Sequence, residues 1–240
     1  MRLYYMTTLE TLESYILPDQ RIRLSTFDTV NDPFELLGAT QGGEKVRRQF
    51  DWLYKHWVET LGFVSFSDNW KSPLMWAHYA RNHTGVCLGI EVPKELALQV
   101  SYEPNRLQIL LDMTRLESAF DDNVINKVIT TKFKEWEYER EWRVVDRLEN
   151  RDEATGFYYR DFTPDFELRE IILGVRCVKT VQEIANQVFG VTDNVYLRRA
   201  RAAFGAFSMA NQRLVRPIVV EPMRDRPPKR GNKKQVAIRL

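Results

Sequence analysis

Two cysteines, three histidines and eleven glycines in 240 residues leave little material for several common chemistries. Cys87 and Cys177 are too few for a disulfide framework and fit a reducing compartment. No glycine-rich turn joins a strand to a helix, so a backbone phosphate cradle of the dinucleotide-binding kind is not expected. His78 and His83 are five residues apart, which turns them ~140° from each other on a regular helix and spoils a metal pair. No metal site is expected. Cys87 sits in the apolar run VCLGIEV, where a thiol behaves as a small hydrophobe rather than a nucleophile. No apolar run approaches the roughly eighteen residues of a membrane helix. The opening MRLYYMTTLETLE lacks the apolar core of a secretory signal. A cytoplasmic chain without a membrane partner is expected.

Charge is plentiful, at 28% of residues, and unevenly placed. Residues 224–240, RDRPPKRGNKKQVAIRL, hold seven Lys/Arg and one Asp, or +6, against −4 for residues 1–223. This composition predicts a basic, disordered tail that nucleic acid would attract, behind a single domain over 1–223.

Periodicity outlines the domain. Thr7 with Glu10 reads as a capping box, followed by Leu9, Leu12 and Ile16 at helical spacing. Further helices are expected over 44–61, from the Ser72-Pro73 start up to Gly85, over 108–130, and from Val181 to Phe189. Strands are expected at 21–25, 62–67, 86–92, 139–146 and 168–174, with two more in NVYLRRA and RPIVVEP. Strands and helices mix without regular alternation. The prediction is an α+β fold with a mixed or split, mainly antiparallel sheet flanked by helices, not a doubly wound one.

Four stretches carry candidate chemistry. In LMWAHYARNHTG, Trp76, His78, Tyr79 and His83 either pack as an ordinary helix or line a cleft with aromatic faces and donors. In WEYEREWRVV, an extended chain would place Glu137, Glu139, Glu141 and Arg143 on one face. Adjacent carboxylates repel unless cations or a ligand answer them, and Arg143, Lys132 and Lys134 are the cations at hand. A solvated charged strand is the plain alternative. VNDPFE mounts Asn31, Asp32 and Glu35 on a turn stiffened by Pro33, and VSFS sets Ser65 and Ser67 on one strand face.

Taken in order, LYYMTTLE, VNDPFE, VSFSD, LMWAHYARNHTG, WEYEREWR and REIILG resemble the mostly bacterial unknown-function domain family twenty-nine seventy-one, akin to AbiGi-type abortive-infection proteins of phage defence. Tyr5 stands where many members carry Lys or Arg, and Val30 where Phe is usual. The family's layout is similar to that of ADP-ribosyltransferases. That likeness implies NAD as a substrate, used without a metal, by an enzyme acting on a macromolecule as a defence or toxin effector. It further implies Glu141, or Glu139, as the catalytic carboxylate, and Tyr4, Tyr5, Asn31, Asp32, Glu35, Ser65, Ser67, Trp76, His78, Tyr79, His83 and Arg143 around the ligand. The alternative it leaves is a non-catalytic sensor of nucleotide or nucleic acid. An antitoxin or other partner protein belongs to either picture.

Overall fold

The structure, a computed structural model, describes residues 1–32, 34, 51, 54–107 and 122–221. Glu35, half of the helix expected over 44–61, the first part of that expected over 108–130, and the basic tail lie outside these residues. The fold is α+β, with helices and a mixed, mostly antiparallel set of strands, as the periodicity predicts. The chain divides into two compact units, each built from separate stretches of sequence.

The first unit comprises Met1–Ile22, Phe66–Lys94 and the described chain from Asp161 to Glu221. Its strand Arg2–Thr7 pairs antiparallel with Val86–Glu91, from Arg2 opposite Glu91 to Thr7 opposite Val86. Val86–Glu91 in turn pairs antiparallel with Glu167–Leu173, across a bulge between Leu168 and Glu170. Glu167–Leu173 and Val195–Ala202 run parallel, a pairing that needs a crossover. The helix Val181–Val188 supplies it, and Val181, Ile184, Ala185 and Val188 form its buried side. Thr180 and Glu183 close a reciprocal capping box at its start. Met209–Asn211 and Ile218–Val220 both pair antiparallel with Val195–Ala202.

The first helical turn begins one residue later than the sequence suggests. Thr7 is spent as the last residue of its strand, and extended Thr8 becomes the cap, its hydroxyl accepting the Thr11 N–H at 3.0 Å. Pro73–Tyr79 is capped by Ser72 as expected but stops well before Gly85. Arg81, Asn82 and His83 follow in left-handed conformation, with φ of 46°, 54° and 68°. Gly85 and Gly174 hold that turn close: a Cβ at Gly85 would lie 2.2 Å from the Thr7 carbonyl oxygen, and one at Gly174 2.1 Å from that of His83.

The second unit comprises Arg23–Ser65 and Glu95–Arg160. Here the Leu61–Ser65 part of the strand Leu61–Ser67 pairs antiparallel with Ser25–Thr26. Glu141–Arg147 lies beside it and pairs antiparallel with Leu98–Gln99. Ser101–Glu103 and Thr131–Phe133 form a short parallel pair. Phe27, Trp57, Leu61, Phe63, Val128 and Ile129 make the core, the last two from the helix Asp122–Ile129. Among the described residues no helix is long and apolar enough to cross a membrane.

Candidate functional site

The WEYEREWRVV stretch is not one continuous strand. Lys134–Glu139 winds as a 3-10 helix, Arg140 takes a left-handed conformation at φ 49°, and the strand starts at Glu141. Strict alternation therefore applies only from Glu141 on, where Glu141 and Arg143 both point inward, 2% and 0% exposed. The left-handed turn at Arg140 turns Glu139 inward as well, 3% exposed, while Glu137 stays in solvent. The common face expected for three carboxylates is thereby broken at Glu137.

Lys132, itself buried, arrives on Thr131–Phe133 and bridges the two inner carboxylates. Its Nζ lies 2.6 Å from Glu139 Oε2 and 3.0 Å from Glu141 Oε2. Arg143 donates from Nε to Glu141 Oε1 at 2.8 Å, from Nη2 to Oε2 at 3.1 Å, and from Nη1 to the Ile129 carbonyl at 2.5 Å. Its guanidinium also rests 4.8 Å from the centre of the Phe63 ring. Ser65 Oγ donates to Glu141 Oε1 at 2.6 Å, and the Glu141 N–H donates to the Tyr102 hydroxyl at 2.7 Å. Two acids and two bases thus share one dry space with no formal excess of charge.

Four donors reach the two oxygens of Glu141, which fills the accepting capacity of a carboxylate. Burial alone would raise its pKa. The Arg143 guanidinium and the Lys132 ammonium, with hydrogen bonds from Arg143 and Ser65, outweigh that and hold the acid at about 2. Burial pushes the Tyr102 phenol up to about 12; the bond from the Glu141 amide opposes the rise, and the Glu141 and Glu139 charges add to it. Glu141 is ionised and fully coordinated.

A cleft of about 290 Å³ opens against this cluster within the second unit, with Lys132 as part of its wall. Phe34, Phe133 and Pro104 give it apolar surfaces, and Arg106 and Glu103 give it charge. Phe34 is 52% and Phe133 47% exposed, and the Arg106 guanidinium sits 4.9 Å over the Phe34 ring. Buried Asp32 positions this rim by accepting the Phe34 N–H at 2.9 Å, a local turn bond of the kind its neighbourhood to proline suggests. Asn31 is exposed.

The other candidates belong to the first unit. Trp76 is fully buried, its indole N–H donating to the Trp70 carbonyl at 2.6 Å. That is a core position, with no ring face open for a ligand to stack on. The His83 ring is parallel to Trp76 at 6.5 Å between centroids, and its Nδ1 has no hydrogen-bond partner among the described residues. Burial, with the nearby Arg176 charge, lowers the His83 pKa. His78 is exposed, with its ring 6.2 Å from that of half-buried Tyr79. Tyr5 meets Phe66 edge-on at 6.1 Å. Ser67, expected to act with Ser65, is buried and turned to the Asn69 backbone, which it both donates to and accepts from at 3.2 Å.

Tyr4 stands near an ion pair that periodicity does not single out. Glu170, 3% exposed, lies 2.6 Å from Arg198 Nε and 3.8 Å from Arg2 Nη1. Burial, then the Glu170 charge, raises the Tyr4 phenol. Glu170 reaches its place because Gly89 has no side chain: a Cβ there would lie 2.8 Å from Glu170 Cβ. Among the described residues no group of three or more His, Cys, Asp or Glu is arranged to hold a metal ion.

Of the sequence candidates, Ser65, Glu139, Glu141 and Arg143 stand together in one cluster, joined by Lys132 and Tyr102. Lys132 was readable as a counter-charge. Tyr102, Arg106 and Phe133 sit in stretches with no motif to mark them, while Phe34 lies inside the VNDPFE box, where the candidates were its polar neighbours. The second unit is thus an α+β body that buries a carboxylate–cation cluster beside an aromatic-rimmed cleft. Residues 75–144, which include Lys132, Glu139, Glu141 and Arg143, match the model of the family described as "Protein of unknown function (DUF2971)", the family that the motifs resemble. No curated protein and no solved structure matches the chain.

Proposed function

We propose that the protein binds a nucleotide-type ligand in the cleft beside Lys132, with NAD the first compound to test. One observation carries this reading: two half-exposed phenylalanines flank a cleft whose wall also holds Arg106 and a buried lysine. Exposed rings beside a concave site suit a flat heterocycle, and a few placed charges suit its sugar and phosphate groups. Titration calorimetry with NAD and with ATP tests it. Phe133→Ala should weaken binding about tenfold, the scale of a lost ring stack. Equal affinity in the variant and the wild type would end the reading.

A second reading, an NAD-consuming ADP-ribosyltransferase of the defence or toxin kind, draws on the paired acids next to that cleft. The bond from ribose to nicotinamide breaks, nicotinamide leaves with the electron pair, and a carboxylate steadies the cationic sugar until an acceptor attacks and sheds its proton. The likeness to ADP-ribosyltransferases implies Glu141 first for that carboxylate, but its oxygens already accept four hydrogen bonds. Glu139 therefore takes the role in this reading, with Lys132 shifting to the ligand as Glu139 engages it. Nicotinamide release from NAD, measured with DNA, RNA or cell lysate as acceptor, should be lost in Glu139→Gln. Release at the wild-type rate in that variant would remove Glu139 from the chemistry, and no release with any acceptor would leave only the binding protein.

A further inference from the structure

The hairpin between Val195–Ala202 and Met209–Asn211 holds two aromatic rings out in water. Ala202 pairs with Met209 and Arg201 with Ala210, and the Ala203 N–H donates to the Ser208 carbonyl at 2.9 Å. Residues 203–208 thus form a closed tip. Phe204 is 95% exposed and Phe207 is 104% exposed. Their neighbours Ala203, Gly205 and Ala206 are too small to cover them, and a Cβ at Gly205 would meet no described atom within 4 Å. Leu214, in the turn after the hairpin, is 91% exposed. Single exposed apolar residues are ordinary, but two whole rings on one short tip form a surface that asks for a partner.

The charge along the hairpin is of one sign. From Asn194 to Val220 the chain has five arginines and no Asp or Glu. Two of the five serve the fold: Arg198 is bound to Glu170, and Arg199 donates to the Cys177 carbonyl at 3.0 Å. The Arg201 guanidinium lies 4.4 Å over the Phe204 ring, and Arg213 and Arg216 are exposed.

We propose that this hairpin docks single-stranded nucleic acid, with Phe204 and Phe207 stacking on unpaired bases and Arg201, Arg213 and Arg216 meeting the phosphates. Exposed rings interleaved with cations are what an unpaired strand needs, because every base offers a π face and every linkage a negative charge. Arginine suits both tasks, since its planar cation stacks as well as binds phosphate. The bases of a duplex are already stacked and would not reach the rings. A lipid surface would answer the arginines, but an apolar tip of two rings is a small anchor. The proposal does not depend on the cleft or its ligand.

Fluorescence anisotropy with labelled oligothymidine and oligouridine, on the full chain, tests it. Co-sedimentation with phosphatidylcholine–phosphatidylserine vesicles is the lipid arm. The wild type should bind an oligonucleotide, and Phe204→Ala with Phe207→Ala should weaken that at least about 30-fold, the lower bound for two lost stacks. Phe204→Leu with Phe207→Leu keeps the apolar bulk and should lose nearly as much. Arg213→Gln with Arg216→Gln should flatten the dependence of log affinity on log salt by about 1.4, about 0.7 for each phosphate contact. Melting temperatures should not move, because these side chains are in solvent. The proposal is overturned if the wild type ignores both oligonucleotides, or if the alanine pair binds them undiminished. It is equally overturned if the leucine pair binds as the wild type does, or if vesicles alone are bound.

Discussion

Replacing Glu141 by Gln removes one negative charge from a dry space that holds two cations, Lys132 and Arg143. The shape is kept, but one end of the amide is now a donor facing other donors, from Lys132 or from Arg143. Two routes give the size of the effect. A glutamate whose acid strength moves from the ordinary 4.5 to about 2 on folding contributes about 3 kcal/mol at neutral pH. Breaking a buried ion pair by removing one member costs about 3–5 kcal/mol. For a chain of this length about 3 kcal/mol lowers the melting temperature by roughly 6–12 °C. The pH dependence has a definite sign. Below pH 4.5 the unfolded chain takes up the Glu141 proton before the folded one does, so acid favours unfolding. The contribution is complete above pH 4.5 and disappears as the pH falls through about 2. Thermal melts of both proteins from pH 8 to pH 2.5 should therefore show a constant gap down to pH 5, which then closes. Removing acid and base together, as Glu141→Leu with Arg143→Met, leaves Lys132 and Glu139 as a neutral pair and should recover part of the loss. A Glu141→Gln protein that melts within about 2 °C of the wild type at pH 7, or a gap that stays open in acid, would refute the electrostatic account of the cluster.

Tyr102→Phe removes the hydroxyl that accepts the Glu141 N–H and leaves a buried amide unanswered, which should cost about 1–3 kcal/mol in urea unfolding without altering ligand affinity. Trp76→Ala should cost about 3–5 kcal/mol as a core cavity, and it strands the Trp70 carbonyl as well. If Trp76 instead served a ligand, the variant would lose affinity while keeping its melting temperature, and calorimetry alongside thermal melts separates the two.

The fold class is legible in the sequence because the first unit's strands are long and apolar. Val86–Glu91 and Glu167–Leu173 are covered on both faces, so they read as nearly continuous hydrophobic runs. The site is legible in part. Glu141 and Arg143 stand two apart in a true strand, so alternation places them together and brings out their charge pairing. Glu139 joins them for a reason that alternation cannot supply. A non-glycine residue, Arg140, takes a left-handed conformation, and a chain read as extended from residue 136 is wound as far as Glu139. Trp76 illustrates the opposite limit, a residue that the sequence leaves open between helix packing and a cleft. Two histidines and a tyrosine beside it suit either reading, and its indole is the most deeply packed ring of its helix. The residues that shape the cleft, Phe34, Arg106 and Phe133, come from three separate stretches with no spacing in common. Glu103 meets Phe133 at the cleft through the pairing of Ser101–Glu103 with Thr131–Phe133, a parallel contact between strands of three residues each. Strands that short leave hardly any periodic trace. The order of motifs therefore marks where the buried charges lie, while much of the cleft wall rests on a tertiary contact that no local pattern announces.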